Sequence, residues 1–245
     1  MEFYTHSKKH AKSMKLKVLN EVAKSICKLY VVNNIGTGFF LQVKLDNGDL
    51  FYMLVSAAHV FHQQIIEDKR IIDIFPDVGK TKFNIEMDEV KRKIITLRNK
   101  NKDLIGIEIK EEDNIINNVK FLNYDINCQK DNYKNYLEKD AFIMHHPNGR
   151  DLECNSGKIL KLNDDEKCEF HHTLDTDQGS SGAPILLFGE KGEEPKVIGV
   201  HRTFPSNHQE LKTNKGTFID ILIDKLKNAL KEKLIVKYNN KILNF

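Results

Sequence analysis

The chain has 245 residues, of which 40% are hydrophobic and 30% are charged, and its formal net charge is only +3. This balance excludes a disordered chain and supplies no electrostatic reason to expect a nucleic-acid partner. No stretch approaches the roughly 18 to 20 apolar residues of a membrane-spanning helix, so a membrane partner is not expected. The four cysteines show no disulfide-framework spacing and the N-terminus shows no apolar signal segment, so we expect a cytoplasmic protein with reduced thiols.

An N-terminal extension is expected over residues 1–24, because "KKHAKSMKLKVLNEVAK" (8–24) is rich in helix-forming residues. From residue 25 the chain changes to short β-branched and aromatic runs separated by Asn, Asp, Gly and Lys. Within this region "LDNGDLFYML" places Asn-Gly between two such runs, which is the strongest short signal of a hairpin. These runs predict a β-rich half over residues 25–124.

The polar segment 125–140 lacks the alternation of a strand and is interpreted as a linker. A second set of short apolar runs predicts another β-rich half over residues 141–218. Residues 219–245 are expected to form a closing helix and tail, because apolar side chains recur there at helical spacing. These apolar positions are Ile221, Leu222, Leu226, Leu230 and Leu234. The predicted fold class is therefore all-β, with a helix at each end.

Three stretches offer the residue types that nucleophilic catalysis by serine requires. His59 in "VSAAHVF" ends an apolar strand, Asp103 in "NKNKDLIGIEIK" opens another, and Ser181 in "QGSSGAPI" lies in a glycine turn. The backbone N–H groups of Gly179 and Ser181 can converge on one oxygen there. Each feature alone is more often structural, but their order along the chain is the one that chymotrypsin-type barrels use.

Four motifs in this order resemble those of trypsin-like serine proteases. They are "GTGFF" (36–40), "SAAHV" (56–60), "DLIGIEI" (103–109) and "GSSGAPI" (179–185). The resemblance covers about residues 25 to 235 and implies two six-stranded antiparallel β-barrels with the active site between them. Three further stretches resemble the glutamyl endopeptidase (V8-like) branch and, more distantly, the HtrA-type proteases. These are "HHPNG" (145–149), "TLDTDQGSSGAPI" (173–185) and "VIGVH" (197–201).

The resemblance implies a serine endopeptidase acting on a protein or peptide substrate, without a cofactor or a metal. Ser181 is then the nucleophile, His59 the general base and acid, and Asp103 the group that orients the histidine. The N–H groups of Gly179 and Ser181 are implied as the oxyanion hole. Ser180 stands where trypsin-like zymogens carry an Asp that pairs with a new N-terminus, so that mode of activation is not expected. Control is expected to lie in a regulatory protein partner or in the N-terminal extension, as in a regulated intracellular protease.

Substrate preference has two competing interpretations. Asp175 lies six residues before Ser181, at the position that selects Lys or Arg in trypsin. Thr176 and His201 instead match the Thr and His with which the V8-like branch selects Glu. A histidine and a threonine hydroxyl are suitable donors to a substrate carboxylate, so we favour an acidic residue at P1, the substrate position before the cleaved bond.

Two other classes of function compete with a protease. The first is a catalytically inactive binding module on the same fold, which the presence of all three triad residues disfavours. The second is a zinc site, because imidazole and thiolate are zinc ligands. Its candidate ligands are Cys168, His171, His172, His145 and His146. A single C-x-x-H pair without a second paired motif is a weak signal, so no metal is predicted.

Overall fold

The computed structural model describes residues 16–79, 81–99, 102–163, 168–189, 193–203 and 213–242, with side chains described up to residue 232. The first 15 residues of the expected N-terminal extension and the last three of the expected tail lie outside the described residues. Helix α1 covers Leu16–Ala23, where the composition predicts a helix. A short helix α2 covers Gln63–Glu67, and helix α3 covers Asp220–Ile242.

The first seven strands form one antiparallel sheet and coincide with the runs predicted after residue 25. They are β1 (Ile26–Val31), β2 (Asn34–Lys44), β3 (Leu50–Ser56), β4 (Ile71–Pro76), β5 (Phe83–Glu86), β6 (Ile94–Asn99) and β7 (Lys102–Glu108). Their order is β5-β4-β1-β2-β3-β7-β6, and over the described residues β5 and β6 do not pair with each other. The predicted hairpin joins β2 to β3, with Gly48 at φ +92°, which glycine adopts without steric cost.

The second sheet closes on itself. Its strands are β8 (Asn123–Tyr124), β9 (Asp140–His145), β10 (Glu153–Leu162), β11 (Glu169–His172), β12 (Pro184–Leu187), β13 (Lys196–Thr203) and β14 (Asn214–Phe218). Strand β12 pairs with both β9 and β13, so six strands form a closed barrel, and β8 adds in parallel to β13. The expected all-β fold of two barrels is confirmed, with a first barrel that has seven strands and stays open. The expected boundaries between the two halves stay a prediction.

The polar segment interpreted as a linker contributes to the core. It contains a 3-10 helix over Lys130–Tyr136, and the Tyr133 ring stacks on Phe218 of β14 with ring centroids 3.9 Å apart. The Tyr133 hydroxyl lies 2.6 Å from both carboxylate oxygens of Asp220, the first residue of α3. This segment therefore fastens the start of the C-terminal helix to the closed barrel.

Helix α3 returns to the first sheet. Leu222 and Leu226 are fully buried, and Lys225 Nζ donates a hydrogen bond to the carbonyl oxygen of Thr96 in β6 at 2.9 Å. The predicted C-terminal helix is thus present, although the side chain of Leu234 lies outside the described ones. None of the helices in the described ranges is long and apolar enough to cross a membrane.

Replacing Asp220 by Asn is expected to change how stability depends on pH. Burial raises the pKa of Asp220 to about 6, whereas an unfolded Asp has a pKa of about 3.9. Between these values the folded chain keeps a proton that the unfolded chain has lost, so this group reduces stability as pH rises through that range. We compare the free energies of unfolding of Asp220→Asn and of the wild type by urea unfolding. From pH 4 to pH 7 the value for the variant should rise by roughly 2 kcal/mol relative to that of the wild type. Parallel stability curves for the two proteins would contradict this assignment.

Candidate active site

The structure brings His59 and Asp103 together at one end of the first sheet. His59 lies in a 3-10 helix, Ala58–Val60, directly after β3, and Asp103 lies in the neighbouring strand β7. Asp103 Oδ2 is 2.5 Å from His59 Nδ1, and Asp103 Oδ1 accepts a hydrogen bond from the His59 backbone N–H at 2.8 Å. The carboxylate therefore requires the proton of a neutral ring to be on Nδ1, which leaves Nε2 as an acceptor. The side chain of His59 is 48% exposed, so this acceptor is accessible.

The turn that carries Ser181 lies between β11 and β12. It contains two glycines with positive φ, Gly179 at +86° and Gly182 at +91°. The Ser181 hydroxyl donates a 3.4 Å hydrogen bond to the carbonyl oxygen of Arg202. In the described residues no hydrogen bond joins Ser181 to His59, which is common for catalytic pairs before a substrate tightens the site.

Thr37 of β2 fastens this turn to the first sheet. Its backbone N–H donates to the carbonyl oxygen of Ser181, and its hydroxyl donates to that of Gly179, both at 2.9 Å. Thr37 is fully buried, and its own carbonyl oxygen accepts a hydrogen bond from the Ser56 hydroxyl at 2.8 Å. The motif "GTGFF" alone does not predict this role of Thr37, although a hydroxyl between two glycines of a buried strand is an available signal.

The amides of Gly179 and Ser181 are the two candidate oxyanion donors. Thr37 holds the carbonyl groups of both residues, while neither N–H donates to an acceptor among the described residues. A Cβ at Gly179 would lie 2.8 Å from the carbonyl oxygen of His146, so only glycine lets this turn approach its neighbour. Two unpaired N–H groups in one turn are available for a developing negative charge.

The "HHPNG" segment packs against the same turn. The backbone N–H of Asn148 donates to the carbonyl oxygen of Gln178 at 2.5 Å, and its side-chain amide donates to the Asp177 carboxylate. Asn148 has φ +52°, a conformation that Asn tolerates better than most residues. The resemblance motif thus supports the turn directly before Gly179.

Ser180 is held by a neutral hydrogen bond. Its hydroxyl oxygen lies 2.6 Å from His145 Nδ1 and accepts the backbone N–H of Asp177 at 3.0 Å. Asn155 Nδ2 donates to His145 Nε2 at 3.1 Å, so Nδ1 carries the proton and donates to Ser180. Burial lowers the pKa of His145, which keeps this ring neutral. A partner for Ser180 at this position was not predicted.

The three predicted substrate-binding residues lie in different surroundings. The side chain of Asp175 is exposed, whereas Thr176 is buried and its hydroxyl has no hydrogen-bond partner in the described residues. His201 is buried as well, with Nδ1 3.3 Å from Nε2 of His172. Burial lowers the pKa of His201 well below its ordinary value and that of His172 to about 3. Both rings are therefore neutral at physiological pH.

The residues considered for a zinc site have other contacts. His172 faces His201, His171 Nδ1 lies 2.9 Å from the Thr213 hydroxyl, and His145 contacts Ser180. In the part of the chain that the structure describes, no three His, Cys, Asp or Glu side chains are grouped so that they could hold a metal ion.

Comparison with known proteins identifies the fold. No protein-family model matches this chain, and no curated protein sequence matches it. Among solved structures, the Rv3671c protease of M. tuberculosis in its inactive form has a TM-score of 0.57 and 14% identity, over 86% of this chain and 92% of that one. Its active form also scores 0.57, at 15% identity over 85% and 82% of the two chains. The serine endoprotease of Yersinia pestis scores 0.59, at 12% identity over 93% and 67%. The chain therefore has the chymotrypsin-like double-barrel fold of these proteins.

Proposed function

We propose that this protein is a serine endopeptidase that cleaves peptide bonds through an acyl-enzyme on Ser181. The observation that carries the proposal is the pair of contacts from both Asp103 oxygens to His59, which prepares Nε2 to accept a proton. The turn with Ser181, held by Thr37, supports it further, because the amides of Gly179 and Ser181 have no acceptor among the described residues.

In the proposed reaction, the Ser181 oxygen attacks the substrate carbonyl while His59 Nε2 takes the hydroxyl proton. Asp103 stabilises the imidazolium that forms. The carbonyl oxygen becomes negative and accepts hydrogen bonds from the N–H groups of Gly179 and Ser181, each worth about 3 kcal/mol of barrier. His59 then protonates the leaving amine, and a water molecule hydrolyses the acyl-enzyme by the same steps.

For specificity we propose an acidic residue, Glu in the first place, at P1. The proposal is supported by the buried Thr176 hydroxyl, which has no hydrogen-bond partner among the described residues, and by the buried neutral ring of His201. An imidazole N–H and a hydroxyl can both donate hydrogen bonds to a carboxylate. The alternative, a Lys or Arg preference set by Asp175, receives less support because that carboxylate is exposed to water, which weakens its attraction for a cation.

We also propose that the chain belongs to the V8-like branch, acts in the cytoplasm and is controlled by a protein partner. The motifs 145–149 and 173–185 support the branch. The hydrogen bond between Ser180 and His145, in place of an acidic residue before the nucleophile, supports control by something other than a new N-terminus.

Incubating an unbiased peptide library with the wild type and with Ser181→Ala tests activity, nucleophile and specificity together. We expect cleavage by the wild type, with Glu or Asp at P1 favoured over Lys or Arg by about tenfold or more. We expect no cleavage by Ser181→Ala, and labelling by a fluorophosphonate only in the wild type.

Labelling of neither protein, together with an intact library, would support the inactive binding module instead. Cleavage after Lys or Arg would contradict the proposal that Thr176 and His201 recognise an acidic P1 residue. It would favour Asp175 as the residue that determines specificity.

A further inference from the structure

Arg202 follows His201 on β13 and approaches the predicted triad from the second barrel. Its Nε lies 3.8 Å from Asp103 Oδ2, the same oxygen that faces His59 Nδ1. Its backbone carbonyl oxygen accepts the hydroxyl of Ser181. One residue therefore contacts both the acid and the nucleophile, and these two come from different barrels.

The guanidinium of Arg202 is held from behind by Glu169 of β11. Arg202 Nη1 lies 2.5 Å from Glu169 Oε2, and the side chains are 15% and 1% exposed. Lys215 Nζ and Asn163 Nδ2 each lie 2.9 Å from the other oxygen of Glu169. Arg202 therefore lies between Glu169 and Asp103, and Asp103 is the carboxylate that faces His59.

Glu169 is ionised in this arrangement. Burial by itself raises the pKa of Glu169, but the hydrogen bonds from Lys215 and Asn163 and the charges of Lys215 and Arg202 outweigh burial and hold the pKa below its ordinary value. A buried anion bound in this way restricts the guanidinium to one position, because moving it would leave an unpaired buried charge.

We propose, on the basis of the peptidase function proposed above, that Arg202 is a positioning residue for the His59–Asp103 pair. It forms an ion pair, at 3.8 Å, between the barrel that carries Ser181 and the carboxylate of the first barrel. Its positive charge compensates part of the negative charge of Asp103, which weakens the attraction between that carboxylate and a protonated His59.

Within the described part of the chain, few charged or titratable groups lie near His59. Asp103 contacts the His59 ring directly, and Arg202 contacts the Asp103 oxygen that faces the ring. His201 is a neighbour that burial keeps neutral. Arg98 of β6 donates to the carbonyl oxygens of Ala58 and Phe61 and so holds the helical turn on which His59 lies. Among the residues with described positions, Arg202 is thus the cation that contacts the acid of the pair.

Kinetics of Arg202→Met across pH 5 to 9 test this role on a peptide that the wild type cleaves. We expect kcat/KM to fall at least tenfold. The acid limb of the plot of kcat/KM against pH should move to higher pH by roughly half a pH unit to one pH unit. The matched control is Lys215→Met, which removes an equal charge from Glu169 without touching Asp103, and its acid limb should stay close to that of the wild type. Arg202→Lys, which restores the charge but not the planar fork, should return the acid limb at least halfway.

A double variant, Arg202→Met with Glu169→Gln, serves if the single variant folds poorly, because it leaves no buried carboxylate unpaired. NMR of the proton on His59 Nδ1 needs no substrate, and its resonance should change in both Arg202→Met proteins but not in Lys215→Met. Equal pH profiles and resonances in Arg202→Met and Lys215→Met would overturn the positioning role. If the wild type cleaves no peptide, the proposed function fails, and the NMR comparison still decides whether Arg202 acts on the pair.

Discussion

Asp103→Asn is expected to lower kcat about 10⁴-fold while leaving the fold intact. Asp103 Oδ1 accepts the backbone N–H of His59, so an Asn at this position keeps its carbonyl oxygen there. Its NH₂ group must then face His59 Nδ1 and donate to it, which transfers the ring proton to Nε2. A ring protonated at Nε2 cannot accept the proton of Ser181, and the general base is lost.

The measurement is kcat for a cleaved peptide, with unfolding temperature as the check on the fold. Asp73→Asn is the matched control, because Asp73 lies in β4 and contacts Lys82 and Asn84 instead of a histidine. The control should keep wild-type activity. If Asp103→Asn retains more than about one tenth of the wild-type kcat, His59 and Asp103 do not act as a catalytic pair.

Gly182→Ala is expected to destabilise the protein by more than about 4 kcal/mol and to abolish activity with it. Gly182 has φ +91°, which costs a residue with a Cβ about 1 to 2 kcal/mol. The larger part is steric, because the new Cβ would lie 2.0 Å from the Ser56 hydroxyl and 2.2 Å from the backbone oxygen of Thr37. The Ser56 side chain can rotate, but the strand that contains Thr37 cannot move without breaking the attachment of the turn.

Gly48→Ala separates the two contributions. Gly48 has φ +92°, and a Cβ there would meet nothing within 4 Å. This variant should lose only the conformational part, about 1 to 2 kcal/mol, in urea unfolding. Similar losses for the two variants would mean that the turn with Ser181 does not depend on close contact with the first sheet.

Local patterns were sufficient to predict the strands and the candidate triad. The short runs predicted in both halves form strands, because alternation and β-branched residues reflect burial on one face of a sheet. His59, Asp103 and Ser181 are candidates because three short motifs follow one another in the order that chymotrypsin-type barrels use. Strand β8 was missed, since two residues are too short to show any periodicity.

Contacts between distant parts of the chain were not predictable in this way. Thr37 and Ser181 are 144 positions apart along the chain, and neither local sequence predicts that the two residues are in contact. Arg202 directly follows the motif "VIGVH" and is not part of it, so the motif does not predict the contact between Arg202 and Asp103. Tyr133 was assigned to a polar linker, although its ring packs on Phe218 in the core.

The sequence by itself determined the all-β class, the order of the strands along the chain and which three residues are candidates for catalysis. The class and the strands depend on residues within about ten positions of one another, where periodicity and turn chemistry act, while the three candidates also depend on the order of their motifs along the chain. Only the tertiary structure decided that the first sheet stays open, that Asp175 is exposed while Thr176 and His201 are buried, and that Arg202 joins Glu169 to Asp103. Burial and charge pairing arise when the two sheets meet, and the environment of a side chain is set by neighbours that its own segment does not contain.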